Sequence, residues 1–238
     1  KSTDYVKTWK KISTGIPYGA FTRVVREDSN KKGLLYAGTE KGVYISWNDG
    51  SSWEPLQLNL PKTPILDLKV HQGDLIVATS GRSFWILDDL SIFSQYEKTQ
   101  NQIKLYQPEE TVYGSWGSQL NGNSKTFKGT HPFEGVNPAN GMVLYYHLPQ
   151  KMDSTELTLE ILNAQGKLIR TISSKKDKTY KPHNGGGPPP APTLGKEKGL
   201  NRFVWDLKHP ILPGVPDVYI EANFSGHKVP PGTYTLRL

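Results

Sequence analysis

Three charged residues in the first part of the sequence have types and spacing that suit chemistry: Arg82, Asp88 and Asp89. A guanidinium group binds a carboxylate through two parallel hydrogen bonds, and a carboxyl group can serve as a general acid or base. All three residues are expected at strand ends near a turn. They form either a ligand-binding site or an ion pair that ties one strand pair to its neighbour. The ion pair is the simpler interpretation, because catalysis needs a third group within hydrogen-bond reach.

Other patterns that carry enzyme chemistry are absent from the sequence. The six histidines have no metal-like spacing, and the chain has no cysteine for a thiolate site or a disulfide. There is no phosphate-binding Gly-Lys-Ser/Thr loop and no Gly-x-Ser-x-Gly nucleophile turn. We therefore expect no catalytic residue, no metal site and no cofactor.

The most informative local motif is Ser-Trp-Asn-Asp-Gly-Ser-Ser-Trp at residues 46–53. Asn48 can bond to neighbouring backbone groups in a tight turn, and Gly50 can adopt a positive φ. Trp53 can fold its large ring under that turn. Together with Ser46 and Ser52, these residues are predicted to staple a hairpin. Each of them has a folding role that requires no ligand.

Short apolar segments separated by turn residues surround this motif. Such a pattern is typical of an all-β sandwich, barrel or propeller. The strands predicted in this part of the chain are 21–26, 34–37, 42–47, 53–58, 65–70, 75–79 and 83–87.

Two of these strand pairs resemble each other at an offset of about forty residues. Residues 34–45 (LLYAGTEKGVYI) align with residues 75–86 (LIVATSGRSFWI), and each copy has an apolar strand, a small-residue turn and an aromatic strand. A propeller blade of four strands repeats every ~40–50 residues. Repeat units bury their faces against neighbours, so about two blades predict part of a propeller that belongs to a longer protein.

Strand patterns return after a less regular stretch at 105–140, which is interpreted as a connector. The strands predicted here are 143–148, 156–162, 167–172, 200–207 and 233–238, and their spacing favours a β-sandwich. Between them, residues 175–198 are rich in Gly and Pro. This segment is predicted to be a mobile loop, with a polyproline ligand for an aromatic groove as the alternative.

Composition limits the classes of partner. The chain has 238 residues with 23 Gly, 18 Pro, 11% aromatic residues and a formal net charge of +7. Its basic residues are spread along the chain, whereas nucleic-acid readers concentrate them on one face or helix, so no nucleic-acid partner is expected. No stretch has the ~20 apolar residues of a membrane-spanning helix.

The 46–53 motif resembles the Asp-box, or bacterial neuraminidase repeat, Ser-x-Asp-x-Gly-x-Ser/Thr-Trp, with Asn48 in place of the usual Asp. The flanking segments are similar to those of bacterial sortilin-like proteins, which are large Asp-box propellers often labelled as glycosyl hydrolases. The similar segments are 15–17, 25–28, 34–42, 59–61, 79–90, 199–207 (GLNRFVWDL) and 230–234. The resemblance is weakest at 91–135 and 173–198.

The resemblance implies an all-β chain: the last propeller blades at 1–104, a connector at 105–140 and an immunoglobulin- or fibronectin-III-like sandwich at 141–238. It also implies a bacterial protein exported to the periplasm, the cell surface or the medium. Because every recognised motif has a folding role and the sequence has no acid–base pair, the expected function is a non-catalytic interaction or scaffold module. Such a module would bind protein, glycan or the remaining blades of its parent chain. The alternative is the accessory C-terminal part of a sialidase-like glycoside hydrolase, which would need several arginines around a substrate carboxylate.

Overall fold

The computed structural model describes residues 1–97, 101–114, 139–178, 180, 187–215 and 223–238. Within these ranges, regular structure consists of antiparallel β-strands and one short helix, α1, at Ser91–Gln95. The prediction of an all-β chain is therefore confirmed. The chain forms two compact units, Lys1–Tyr96 and Glu97–Leu238, so the division falls a few residues before the end of the 1–104 segment.

The first unit contains a four-stranded antiparallel sheet in the order β1-β2-β3-β4. Its strands are β1 Thr22–Glu27, β2 Leu35–Thr39, β3 Gly42–Ser46 and β4 Glu54–Pro55. β2 and β3 are buried at every position, because both faces of the sheet are covered. β4 is shorter than the strand predicted at 53–58. The backbone leaves the extended region at Leu58, whose φ is 43°.

A three-stranded sheet in the order β5-β6-β7 completes the first unit. Its strands are β5 Ile65–His71, β6 Asp74–Thr79 and β7 Phe84–Leu87. Both sheets have a register shift in the same place, at the start of their first strand pair. The shift lies between Thr22 and Val24 in one sheet and between Ile65 and Asp67 in the other. The two sheets are thus built to one plan.

The structure aligns the two copies differently in their first hairpin strand. Thr39 and Thr79 each close their hairpin by donating a side-chain hydrogen bond to a backbone carbonyl across the turn, at 2.9 and 2.6 Å. Ala37 therefore corresponds to Val77 and not to Ala78, because the second hairpin loop is longer. Since side chains alternate between the faces of a strand, a shift of one residue exchanges the faces.

One face of the first sheet packs on one face of the second. Gly38 lies where they approach closely: a β-carbon on it would be 2.7 Å from side-chain atoms of both Ile65 and Val24. Arg26 on β1 donates to Asp67 on β5 at 2.8 Å, which joins the two sheets at their edge. The shared core comprises Val24, Leu34, Tyr36, Val43, Ile45, Leu56, Leu60, Ile65, Leu68, Leu75, Val77 and Leu90.

The other face of the first sheet has its own core. Leu35, Ala37 and Tyr44 pack there with Trp53, and Ile16 from the segment before β1 covers them. The N-terminal segment thus takes the place on this face that β5–β7 takes on the opposite face. A sheet enclosed on both sides explains why its two central strands have no exposed residue.

The second unit contains two three-stranded antiparallel sheets, in the orders β12-β9-β8 and β11-β10-β13. Their strands are β8 Lys104–Leu105, β9 Met142–Leu148, β10 Thr158–Asn163, β11 Leu168–Ser173, β12 Gly199–Trp205 and β13 Tyr234–Arg237. Both sheets contribute to one core, made of Leu144, Tyr146, Leu148, Leu157, Leu159, Ile161, Ile172, Leu194, Trp205 and Val229.

Part of the predicted mobile loop at 175–198 is held by the core of this unit. Leu194 is 4% exposed, and its amide donates to the Ser173 carbonyl at 3.1 Å. The Tyr146 hydroxyl donates to the Gly195 carbonyl at 2.8 Å, and burial raises the pKa of Tyr146 to about 12. The C-terminal end of the loop is therefore fixed. Residues 179 and 181–186 of this loop, and 115–138 of the predicted connector, lie outside the described residues.

The close approach at Gly38 generates the first prediction. Gly38→Ala should lower the free energy of unfolding by about 1–3 kcal/mol, because the added methyl group overpacks the contact with Ile65 and Val24. Urea unfolding followed by circular dichroism measures the effect. The matched control is Gly232→Ala, where an added β-carbon meets nothing within 4 Å. Equal effects of the two substitutions would contradict the packing role of Gly38.

Candidate functional site

The residues of the 46–53 motif, which resembles the Asp-box, form a hydrogen-bonded hairpin between β3 and β4. The Ser46 Oγ is fully buried and accepts the Gly50 amide at 2.9 Å. The Asn48 side chain accepts the Ser52 amide through Oδ1 at 2.8 Å and donates to the Ser52 hydroxyl through Nδ2 at 2.9 Å. The Ser46 hydroxyl also donates to Asn48 Oδ1 at 3.1 Å. Asn48 thus serves as acceptor where the motif usually has a carboxylate, and adds a donor that a carboxylate lacks.

Gly50 and Trp53 join the hairpin to the N-terminal segment through Ile12. Gly50 has a φ of 82°, and a β-carbon on it would be 2.6 Å from the Ile12 side chain. Trp53 is 4% exposed and donates its indole N–H to the Ile12 carbonyl at 2.7 Å. Its backbone amide donates to the Thr14 carbonyl at 2.8 Å. These contacts fasten the N-terminal segment to the first sheet.

The fold does not place Arg82 near Asp88 and Asp89. Arg82 lies in the β6–β7 turn, and the two aspartates follow the other end of β7. At ~3.3 Å per strand residue, the four residues of β7 separate them by about 13 Å. Among the described residues the Arg82 side chain has no ion partner, and its backbone carbonyl accepts the Trp85 indole N–H at 2.8 Å.

The two aspartates instead belong to an acidic corner with Asp74. The Asp89 amide donates to Asp74 Oδ1 at 3.0 Å, and the Asp89 carboxylate accepts the Ser91 amide at 3.0 Å and the Ser91 hydroxyl. The Leu90 amide donates to the Gly73 carbonyl at 2.7 Å. This corner therefore anchors the segment after β7 to the β5–β6 turn and begins α1.

The surroundings of Asp88 in this corner change its acidity. Partial desolvation, followed by the charges of Asp74 and Asp89, raises the pKa of Asp88. A carboxyl group that keeps its proton at higher pH suits a general acid. Its two neighbours are engaged in holding backbone and side-chain donors, so this corner has no free carboxylate placed opposite Asp88 across a cleft, as glycoside hydrolysis requires.

Sequence reasoning did not identify two cavities in the second unit. One, of about 390 Å³, lies beside the edge strand β11 and is lined by Arg170, Thr171, Lys175, Pro192 and Ile211 among others. The Arg170 side chain is 6% exposed and binds Asp206 at 2.8 Å. No motif marks this cavity, because its lining comes from four separate stretches of the chain.

A second cavity, of about 220 Å³, is lined by Tyr113, Lys208 and Lys228 among others, and the two lysines form an antiparallel β-bridge. Next to that bridge the rings of His209 and His227 stack with their centroids 3.9 Å apart. Burial lowers the pKa of His209, and the nearby His227 and Lys167 lower it further. Protonation of His209 therefore opposes the folded arrangement beside this bridge.

Among the described residues, no group of three or more His, Asp or Glu side chains is arranged to hold a metal ion. His131 and His183 lie outside the described residues. None of the helical structure in these ranges has the length and apolarity of a membrane span.

The hairpin geometry generates a second prediction. Ser46→Ala leaves the buried Gly50 amide without its acceptor and should lower the free energy of unfolding by about 1–3 kcal/mol. Urea unfolding measures the change. Ser51→Ala is the control, because the Ser51 side chain is exposed in the same hairpin. An equal loss in both variants would show that the Ser46 hydroxyl has no special role.

The stacked histidines generate a third prediction. Because the pKa of His209 is lower in the folded state than its ordinary value near 6.5, the unfolded state takes up the proton first. The contribution of neutral His209 to stability is therefore fully present above pH 6.5. It is lost as the pH falls through that value toward the pKa of the folded state. Urea unfolding of the second unit at about pH 8 and about pH 5 measures this loss. Between these two pH values the His209→Gln variant should lose less free energy of unfolding than the control variant His71→Gln. Identical losses in the two variants would show that His209 does not cause the pH dependence.

Comparisons with known proteins identify no relative of this chain. No family model matches the chain, and neither the curated proteins nor the solved structures contain one with significant similarity to it.

Proposed function

We propose that this chain is a non-catalytic interaction or scaffold module, with propeller-type blades in its first unit and an immunoglobulin-like sandwich in its second. The observation that carries the proposal is the repeated sheet of the first unit. Its second copy packs on the first, and the Asp-box side chains are engaged within their own hairpin. Residues committed to holding backbone groups are not available to hold a substrate.

The propeller interpretation is supported by the plan of the two sheets. Each is an antiparallel meander of consecutive strands with a register shift at its start. Sheets of such a repeat stack face to face, and each covers the apolar face of its neighbour. The sandwich interpretation is supported by the second unit, where two three-stranded sheets enclose one apolar core.

An interaction role is supported by the exposed aromatic residues of the N-terminal segment. Trp9 is 71% exposed, Phe21 is 74% exposed, and Tyr5 and Tyr18 are almost fully exposed. Large aromatic side chains are enriched at protein interfaces, where a flat apolar body contributes contact area. Protein or glycan partners, and the remaining blades of a parent chain, are the ligands that we propose for this bacterial, exported module.

The second candidate is the accessory part of a sialidase-like glycoside hydrolase. The raised pKa of Asp88 is the observation that favours it, since a general acid at a glycosidic oxygen must keep its proton. Against it stands the position of Arg82 at the far end of β7, away from Asp88 and Asp89. A carboxylate-bearing sugar would need a cation beside the acid.

Hydrolysis of a panel of aryl-glycosides and sialosides tests the proposal. The chain should release no product from any of them above the uncatalysed rate, and Asp88→Asn should leave every reading unchanged. Asp153→Asn, an exposed carboxylate of the second unit, is the matched control. Hydrolysis that is lost in Asp88→Asn, retained in Asp153→Asn and accompanied by unchanged circular dichroism would replace the scaffold proposal with the hydrolase.

A further inference from the structure

The second sheet has one covered face and one open face. Val77 and Trp85 point into the core shared with the first sheet. Ile76, Phe84 and Ile86 occupy the alternate positions and point the other way. Phe84 is 76% exposed and Ile86 is 60% exposed. Together with Ala78 and Lys69, which pair with these positions across the strands, they define the open face.

The corresponding face of the first sheet is buried. With Thr39 matched to Thr79, the corresponding residues are Tyr36 and Ile76, Val43 and Phe84, and Ile45 and Ile86. Tyr36, Val43 and Ile45 are at most 3% exposed, because β5–β7 lies over them. The molecule therefore shows directly what covers a face of this kind, namely another antiparallel sheet.

A small residue marks the centre of both faces. Gly38 in the first sheet leaves room for Ile65, whose side chain lies against it. Its counterpart on the open face is Ala78, which pairs with Phe84 as Gly38 pairs with Val43. A glycine or alanine flanked by large apolar residues forms a shallow depression, which a branched aliphatic side chain of a covering sheet can fill.

A cation also recurs at the same position. Arg26 pairs with Tyr36 across the first sheet and binds Asp67 of the covering sheet at 2.8 Å. Its counterpart is Lys69, which pairs with Ile76 and is exposed, with no ion partner among the described residues. The open face thus repeats the apolar row, the depression and the cation that the covered face presents to β5–β7.

We propose that the open face is the docking surface for a further antiparallel β-sheet, whose first strand places a branched aliphatic residue over Ala78 and a carboxylate against Lys69. We assign this covering sheet to another repeat of the parent polypeptide. This assignment rests on the proposed function. Within the described residues, the two sheets of the first unit offer no such face to a second copy of this chain. The back of its first sheet is covered by Ile16, and the inner face of its second sheet lies in its own core.

An inserted repeat supplies the probe. Residues 62–96 are duplicated and the copy is placed directly after Tyr96, so that its inner face can reach the open face of the original. The chain has no cysteine, so Ile86→Cys in the original repeat is a unique thiol. Maleimide labelling of this thiol should slow at least about tenfold on insertion, because docking removes it from solvent. Labelling of Tyr18→Cys, at a fully exposed site, should keep its rate.

The charge pairing is tested in the same background. Lys69→Glu in the original repeat should return the thiol to fast labelling, because it would face Asp67 of the inserted copy. Adding Asp67→Lys in the copy should restore the protection. An insertion variant whose thiol at position 86 reacts as fast as in the parent chain overturns the proposal, whether or not the inserted copy folds.

The chain without the insertion provides two further tests. Slow labelling of Ile86→Cys at low protein concentration would show that another segment of this chain covers the face. Slow labelling only at high concentration would show that a second copy covers it. Either result overturns the proposal. Neither bears on glycoside hydrolysis, so failure here is distinguishable from failure of the scaffold function.

Discussion

The first unit depends on the contact between the faces of its two sheets, where Ile65 fills the space above Gly38. Sheets pack about 10 Å apart when their side chains interdigitate, and a large residue in the wrong register holds them apart. A missing side chain at one position and a branched side chain opposite it therefore set how the two sheets meet. Arg26 and Asp67 add a charged contact at the edge of the same interface.

Polar groups in this unit serve the same packing. Tyr36 crosses the core, and its hydroxyl donates to the Asp28 carboxylate at 2.8 Å; burial, followed by the Asp28 interactions, raises the pKa of Tyr36 above its usual range. Asp28 in turn accepts the amides of Asn30 and Lys31, which shapes the β1–β2 loop. The 46–53 motif does likewise for the β3–β4 turn. In both places side chains satisfy backbone donors that the turn would otherwise leave unpaired.

Most strands and the turn of the 46–53 motif are predictable from the sequence because they depend on local chemistry. Alternation of apolar residues and an Asn-Asp-Gly turn act over a few residues. Sequence similarity aligns Ala37 with Ala78, one residue away from the structural match in β6. The second hairpin loop is one residue longer, which shifts one strand and leaves the other aligned. The distance between Arg82 and Asp88 depends on the length of β7. The burial of Leu194 depends on packing against core residues that are distant in the sequence. Local pattern does not specify such contacts.

The apolar residues on both faces of β7 are explained only when the sequence and the packing of the sheets are considered together. All four residues from Phe84 to Leu87 are apolar, yet only Trp85 and Leu87 reach the core. In β3, the matching strand, both faces are covered. Because a strand gains from apolar residues only where water is removed, the outward residues of β7 are explained by a further covering layer. The shape of the repeat therefore determines what the open face can bind.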